Sequence, residues 1–212
     1  MIQTLPLERV LFADSSIVVI DKNHDLLSVP GKGEDKQDCL WRRVQQSHPT
    51  ARIVHRLDYA TSGVMVLALD ADSHRNLSMQ FQNRQTAKRY QAVVSGLVRD
   101  DEGLVDQPLR CDWENRPLQI VDPEQGKPAQ TRWQVIKRES DRTRLWLHPI
   151  TGRSHQLRVH MQFIGHPILG DRFYANVEET GKSERLLLHA ETLAFQHPLS
   201  MEQMSFNSPT PF

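Results

Sequence analysis

The residue types best suited to chemistry are concentrated in two short segments. The first, His55-Arg56-Leu57-Asp58, places a carboxylate two residues after an arginine and just before the turn-forming residues 59–63. A charged side chain at the end of a buried strand is often part of a functional site, but an aspartate before a turn can also bend or cap the backbone. Spacing alone therefore supports a catalytic and a structural interpretation of Asp58 equally.

The second segment, residues 151–160, has the densest cluster of cationic and hydrogen-bonding side chains. Gly152 allows close backbone approach just before a predicted helix, and Arg153 could offer a two-pronged contact to a carboxylate or a phosphate. The helix dipole disfavours a cation in the first turn, so Arg153 there indicates an acidic partner. His155 and Arg158 are neighbours at a spacing of three. The alternative is an ordinary basic surface helix.

The elements that must position these segments follow from hydrophobic periodicity. Ile53–Leu57 and Val64–Leu69 are predicted strands on either side of the first segment. Residues 153–164 are predicted to be a helix, with Thr151 or Ser154 as its N-cap and Gly165 at its end. We therefore expect the two segments to meet in space.

The remaining pattern favours strands over helices. Further strands are predicted at 17–21, 87–97, 130–137, 143–148, 186–188 and 193–195, with helices capped by Asp38 and by Asp70 or Asp72. Neighbouring strands lie too close in sequence for helical crossovers, which indicates an α+β fold with a mixed, largely antiparallel sheet. We expect one domain over residues 1–212, with a peripheral insertion at about 99–128, where the chain is acidic and rich in proline.

Composition limits the class of protein. The chain has 212 residues, of which 38% are hydrophobic and 25% charged, so a folded core is expected. The longest apolar run, residues 64–69, is too short for a membrane span, and the N-terminus does not resemble a secretory signal. The only two cysteines, Cys39 and Cys111, are far apart in the sequence, so we expect neither a disulfide framework nor a structural zinc site. We expect a cytoplasmic location.

Charge is distributed in blocks although the net charge is zero. Residues 39–57 contain four arginines and no acid, and residues 73–99 contain five basic residues and no acid. Residues 100–126 carry eight acids against two basic residues, and residues 127–172 carry nine basic residues against three acids. Such blocks can form a basic face for a polyanion, but they are also typical of an ordinary solvated surface.

The ten histidines do not form a recognisable metal-binding pattern. His155 and His160 are five residues apart, which is a poor spacing for one helical face, and there is no HExxH sequence. We therefore expect no metal. Tyr90, in Lys88-Arg89-Tyr90, lies at the start of a predicted strand, where it could pack in the protein or stack on a base.

The sequences His55-Arg56-Leu57-Asp58-x-x-Thr61-Ser62-Gly63 and Gly152 to His160 resemble those of the RluA-type pseudouridine synthases. The stretches Gly165 to Asp171 and Leu188-His189-Ala190 extend the resemblance, which covers about residues 17–197. Within that family, the short chain resembles the dual-specificity rRNA and tRNA members, and we expect no S4-like RNA-binding domain beside it. One departure is Lys22-Asn23-His24-Asp25-Leu26, where the family has Lys-Pro-x-Gly-Leu; it concerns loop shape and not the chemistry.

The resemblance implies isomerisation of uridine to pseudouridine in structured RNA, in rRNA, tRNA or both, by a cofactor-independent monomer with a central catalytic cleft. Asp58 would be the catalytic aspartate, Arg153 its ion-pair partner, and Tyr90 would lie against the target base. Arg56 would fill the space left by the flipped base. The implied RNA-binding residues are Arg56, His55, Thr61, His155, Gln156 and Arg158.

Two other interpretations fit parts of the sequence. An RNA-binding protein without catalysis would keep the basic surface but would not need a pair between Asp58 and Arg153. A metal-dependent hydrolase could use some of the histidines, and activity that survives chelation would exclude it.

Overall fold

The computed structural model describes residues 3–6 and 9–212. Its strands are β1 (Val10–Ala13), β2 (Ile17–Lys22), β3 (Arg52–Ile53), β4 (Ser62–Ala68), β5 (Ala87–Ser95), β6 (Glu102–Asp106), β7 (Leu109–Cys111), β8 (Gln119–Val121), β9 (Gln130–Arg138), β10 (Arg142–Pro149), β11 (Leu188–Gln196) and β12 (Gln203–Asn207). Its helices are α1 (Leu40–Gln45), α2 (Ala71–Gln82), α3 (Gln156–Phe163) and α4 (Val177–Gly181). No helix in these two stretches is long and apolar enough to cross a membrane.

The chain divides into two compact units. The first contains residues 1–88 and 190–211, and the second contains residues 89–189 with Phe212. Strand β5 therefore runs from the first unit into the second, and β11 leads back.

The first unit is built on a sheet with the order β1-β2-β4-β11, to which β3 adds along β4 and β12 adds along β11. Strands β2 and β4 pair antiparallel from Ile17 opposite Ala68 to Lys22 opposite Gly63. Every residue of β4 is buried, which explains the continuous apolar run that marks it in the sequence. Its core also contains Leu77 of α2 and Phe195 of β11.

Helix α2 packs on this sheet and begins as predicted. The Asp70 carboxylate accepts a hydrogen bond from the Ser73 backbone N–H at 2.8 Å, and the Ser73 hydroxyl donates to the same carboxylate. These bonds lower the pKa of Asp70. Helix α1 begins differently, because its N-cap is Cys39 and Asp38 instead accepts a two-pronged contact from Arg43.

The second unit has a sheet with the order β5-β10-β9-β6, in which each pair of neighbouring strands is antiparallel. The hairpin of β7 and β8 lies apart from this sheet and packs with α3 through Leu109, Ala129, Val159 and Tyr174. Part of the acidic stretch 99–128 forms strand β6, which belongs to the main sheet of this unit. The predicted mixed, largely antiparallel α+β fold is confirmed.

Several predicted boundaries are wrong. The two closing strands are one strand, β11, and the weakly patterned strands β1, β6, β7, β8 and β12 were not predicted. The helix predicted at residue 153 begins at Gln156, and neither Thr151 nor Ser154 caps it. Its predicted end is correct, since Gly165 follows the C-cap with a φ of 83°.

Candidate active site

The segment that carries Asp58 is an irregular loop between β3 and β4. The predicted strand 53–57 is wrong, because β3 pairs with β4 only at Arg52 opposite Ala68 and Ile53 opposite Leu67. Strand β2 pairs along β4 from Gly63 to Ala68, so β3 shares the other edge of β4 with β11. Arg56 and Asp58 do not lie on a strand, so their spacing of two residues does not place their side chains on one face.

Hydrogen bonds from two buried side chains fix the backbone on both sides of Asp58. On one side, the Ser28 hydroxyl donates to the Leu57 carbonyl at 2.7 Å and accepts from the Leu57 N–H at 3.1 Å. On the other side, the ammonium group of Lys22, which is 0% exposed, donates to the Tyr59 carbonyl at 3.3 Å. The half-buried carboxylate of Asp58 therefore projects from a backbone that is held at both neighbouring residues.

Lys22 also organises the loop in which the sequence departs from the RluA-type pattern. Its ammonium group donates to the carbonyl oxygens of Asn23 at 2.8 Å and Leu26 at 2.7 Å. Asp25, which takes the position of the expected glycine, has a φ of 54°. Aspartate tolerates this left-handed conformation better than most residues, so the loop keeps a glycine-like turn without glycine.

His55 has a clear structural role in the same loop. Its Nε2 atom accepts a hydrogen bond from the Val66 N–H at 3.1 Å, so the ring continues the pairing of β4 beyond the end of β3. The ring stacks on Phe81 with centroids 4.4 Å apart. Burial and the positive charge of Lys88 lower the pKa of His55 to about 3, so the ring is neutral at physiological pH.

Thr61 and Gly63 complete the turn into β4. Thr61 is 2% exposed, and its hydroxyl has no hydrogen-bond partner within residues 3–6 and 9–212. Gly63 has a φ of 119°, and a Cβ atom there would lie 2.2 Å from the Ala190 carbonyl oxygen. By contrast, Arg56 is exposed.

The segment that carries Arg153 forms a tight turn before α3. Arg153 is exposed and precedes the helix, so the predicted position of its charge in the first helical turn is wrong. Its Nε atom donates to the Pro128 carbonyl at 3.1 Å. The turn is held by Gln156, whose side-chain oxygen accepts from the Arg153 N–H at 3.0 Å and the Thr151 hydroxyl at 2.7 Å.

Gln156 and Arg158 are both nearly inaccessible. The Gln156 amide donates to the Gln130 carbonyl and the Thr131 hydroxyl, and its side chain is thereby fully engaged within the protein. Arg158 is 4% exposed and makes two contacts of 2.7 Å to the buried carboxylate of Asp171. Such an ion pair can fix the orientation of α3, but it leaves no surface on the guanidinium for a phosphate.

His155 and Tyr90 are half-buried. His155 is the N-cap of α3, and its Nδ1 atom lies 2.7 Å from the Tyr174 hydroxyl. Tyr90 lies on β5 opposite Leu147 of β10. His155 belongs to the second of the two segments that the sequence singles out. Asp171 only ends the stretch Gly165 to Asp171 of the family resemblance, and Tyr174 has no signal in the sequence.

The predicted site residues are therefore distributed over both units. Asp58, Arg56, His55 and Thr61 belong to the first unit; Tyr90, Arg153, His155, Gln156 and Arg158 belong to the second. The ion pair between Asp58 and Arg153 stays a prediction. In the part of the chain that the structure describes, no group of three or more His, Cys, Asp or Glu side chains could hold a metal ion. That the reaction needs no metal also stays a prediction.

The sequence matches the family model of RNA pseudouridylate synthases over residues 16–163. The dual-specificity RNA pseudouridine synthase RluA of Escherichia coli strain K12 is 52% identical over 96% of this chain and 93% of its own length. The protein of the same name from Vibrio vulnificus is 50% identical over 93% of this chain and 81% of its own length.

Solved structures show the same relationship. Human RNA pseudouridylate synthase domain containing 1 superposes with a TM-score of 0.80 at 27% identity, covering 96% of this chain and 83% of that one. Human RNA pseudouridylate synthase domain containing 4 gives a TM-score of 0.77 at 27% identity, covering 96% and 89%. The chain therefore belongs to the RNA pseudouridylate synthase family and is an RluA-type enzyme that isomerises uridine to pseudouridine in RNA.

Proposed function

We propose that this enzyme modifies specific uridines in structured RNA, in large-subunit rRNA, in a tRNA anticodon stem-loop or in both, and that Asp58 is its catalytic carboxylate. The observation that carries the proposal is the anchoring of Leu57 and Tyr59, which flank Asp58, by buried Ser28 and Lys22. A catalytic group must be held within a fraction of an ångström, and this loop is held at both neighbours of one carboxylate. The bacterial relatives are named as dual-specificity RNA pseudouridine synthases, which favours more than one kind of RNA substrate.

The isomerisation breaks the bond between N1 of uracil and C1′ of ribose and forms a bond between C5 and C1′. The base must turn between these steps, after which C5 loses its proton and N1 carries one. A carboxylate can attack the sugar to form a covalent intermediate, or it can remove a sugar proton to assist departure of the base. Both routes require Asp58 to be ionised at the start.

We assign the other roles from chemistry and exposure. Arg153 is exposed on a braced turn and is proposed to pair with Asp58, which would keep the carboxylate ionised and oriented. Tyr90 is proposed to lie against the target base. Because a base in structured RNA must leave its stack, exposed Arg56 is proposed to fill the vacated space, and His155 to contact the RNA.

Gln156 and Arg158 are proposed to act through the protein. Both side chains are buried and bonded to neighbouring groups of the protein, so they would hold the turn at Arg153 and helix α3 instead of binding RNA. His55 and buried Thr61 would likewise support the loop around Asp58. We further propose that the enzyme works as a cytoplasmic monomer without a metal, as its RNA substrate and the family resemblance suggest.

The test is Asp58→Asn, with Asp72→Asn as a matched control on the exposed start of α2. We expect Asp58→Asn to abolish pseudouridine formation in rRNA and tRNA substrates, while RNA affinity stays within a few-fold of the wild type. The Asp72 variant should keep full activity. Turnover by Asp58→Asn would refute the catalytic role, and a near-normal rate for Arg153→Ala would show that the proposed pair is not needed.

A further inference from the structure

The hairpin of β7 and β8 carries an exposed tryptophan in the loop at its tip. Trp113 is 64% exposed, whereas the other three tryptophans of the chain are buried or half-buried. Covering an indole removes a large apolar area from water, so a tryptophan that is held in solvent marks a surface that a partner can bind.

The guanidinium group of Arg116 covers one face of the Trp113 ring. Its Cζ atom lies 3.8 Å from the ring centroid, well within the distance at which a cation is attracted to an indole. Because the indole is still 64% exposed, its opposite face is open to solvent. The two side chains therefore form an incomplete stack, to which another planar group can be added.

Hydrogen bonds close the loop that presents this stack. The Asp112 N–H donates to the Leu118 carbonyl at 2.9 Å, and the Leu118 N–H donates to the Asn115 carbonyl at 3.0 Å. The side-chain amide of Asn115 also donates to the Asp112 carboxylate at 2.9 Å. A partner that stacks on Trp113 therefore does not have to order the loop first, which lowers the cost of binding.

The base of the hairpin is bonded to the turn that carries Arg153. Leu109 and Lys127 exchange backbone hydrogen bonds of 2.8 and 3.0 Å, and the next residue, Pro128, accepts from Nε of Arg153. Trp113 lies four residues beyond Leu109, a span of at most about 14 Å, which is roughly four stacked nucleotides. An RNA bound at Arg153 can therefore reach the indole within a few nucleotides.

Charge at the tip favours a base over a phosphate as the group that completes the stack. Asp112 and Glu114 flank Trp113 in the sequence, and Arg116 is the single cation of residues 112–118. Two acids repel a phosphate, and the charge of Arg116 lies over the indole. A nucleobase is planar and uncharged, and unpaired bases of RNA stack on aromatic rings and on guanidinium planes.

We propose that Trp113, backed by Arg116, stacks on an unpaired base of the RNA substrate other than the target uridine. The contact adds affinity and orients the RNA without neutralising a phosphate. The proposal rests on the proposed function in one respect, namely that structured RNA is bound at the turn of Arg153.

Tryptophan fluorescence of the full-length enzyme reports this contact directly. Stacking of a base should quench the emission of Trp113 when a stem-loop that the enzyme modifies is added. We expect Trp113→Leu to lose this quenching. Leu104→Ala is the control, because it removes another exposed apolar side chain of the acidic stretch, and it should keep both the quenching and the wild-type affinity. Unfolding curves of each variant show whether the fold is kept.

Affinity for the same stem-loop measures what the stack contributes. Trp113→Leu should weaken binding by about tenfold, as for the loss of one stack between a base and an aromatic ring. Trp113→Phe keeps an aromatic face and should lose less than about threefold. The dependence of binding on salt should have the same slope in Trp113→Leu as in the wild type, because no phosphate contact is removed.

Abasic nucleotides identify the base. Each unpaired position of the stem-loop except the target uridine is made abasic in turn, and the affinity of each RNA is measured with the wild type and with Trp113→Leu. At one position the missing base should weaken binding to the wild type by about tenfold but to Trp113→Leu by less than about twofold, because both changes remove the same stack. At the other positions the losses should add.

Three results would overturn the proposal: wild-type emission that the stem-loop leaves unchanged, wild-type affinity in folded Trp113→Leu, or additive losses at every abasic position. Unchanged affinity would assign the exposed indole to a partner other than RNA. These results are distinct from failure of the proposed function. If Asp58→Asn kept its activity or Arg153→Ala its rate, the roles of those residues would fail, and the quenching at Trp113 would still be decided by its own measurement.

Discussion

At the scale of single residues, His55 shows how a side chain next to a catalytic candidate can serve the fold. Its Nε2 atom accepts from the Val66 backbone, and protonation of the ring would break that bond and place a charge near Lys88. The histidine at this position therefore has a structural reason that is independent of RNA. The same distinction applies to two arginines: buried Arg158 binds Asp171 within the protein, whereas Arg153 is exposed.

Because its environment keeps the ring neutral, His55 is predicted to lower the stability of the folded protein in acid. Its folded-state pKa of about 3 lies below the ordinary value of 6.5, so the unfolded chain binds the additional proton between these limits. The free energy of unfolding must therefore fall as pH drops below about 6.5. The contribution of His55 to this loss is about 2 kcal/mol at pH 5.

The measurement compares urea unfolding of the wild type and His55→Gln at pH 7 and pH 5. Glutamine can accept the Val66 bond but does not titrate, so the variant should lose less stability between the two pH values. The difference of the two differences isolates His55 from the other histidines. Equal losses in both proteins would show that His55 is not kept neutral by the fold.

At the scale of elements, the sequence predicted the buried strands and helices well and the loops poorly. Strand β4 and helix α2 have strong local signals, namely a continuous apolar run and an aspartate cap. The anchors of the Asp58 loop have no local signal, because Ser28 and Lys22 reach Leu57 and Tyr59 across 29 and 37 residues. Asp58 and Arg153 could be chosen from sequence, but the bonds that hold their backbones could not.

The short length of β3 has the same cause. A strand over 53–57 is compatible with local composition, but β11 competes for the same edge of β4, and competition between distant segments is not visible in a local pattern. The loop at Asp58 is thus produced by the sheet order of the first unit. The loop begins where β3 ends, and it ends near Gly63, which lies close to the Ala190 backbone.

Gly63 is accordingly predicted to be required for stability. In Gly63→Ala, the new Cβ atom would meet the Ala190 backbone, and the φ of 119° would be strained in any other residue. We expect a loss of about 3 kcal/mol or more in the free energy of unfolding, from strain and overpacking together.

Gly181→Ala is the matched control for urea unfolding. Gly181 ends α4, its φ is not positive, and a Cβ atom there would meet nothing within 4 Å. That variant should keep the wild-type stability or gain slightly, by less than about 1 kcal/mol. If both glycine variants unfolded alike, close contact at Gly63 would not be the reason for its presence.

At the scale of the whole molecule, charge must act locally, because the net charge is zero. A protein without net charge has no uniform attraction to RNA, so any strong salt dependence of binding must come from basic regions such as residues 73–99. Arg84 is exposed in that stretch, which contains no acid, whereas Arg116 lies in the acidic stretch 100–126.

We expect the logarithm of the RNA association constant to fall linearly with the logarithm of salt concentration, with a slope that counts the phosphates neutralised. Arg84→Gln should reduce that slope by about 1 while leaving kcat at saturating RNA unchanged, whereas Arg116→Gln should leave the slope as it is. Titrations of a fluorescent stem-loop at several salt concentrations give each slope directly. A slope near zero in the wild type, or equal changes in the two variants, would show that the charge blocks are ordinary surface and that RNA is held mainly by uncharged contacts.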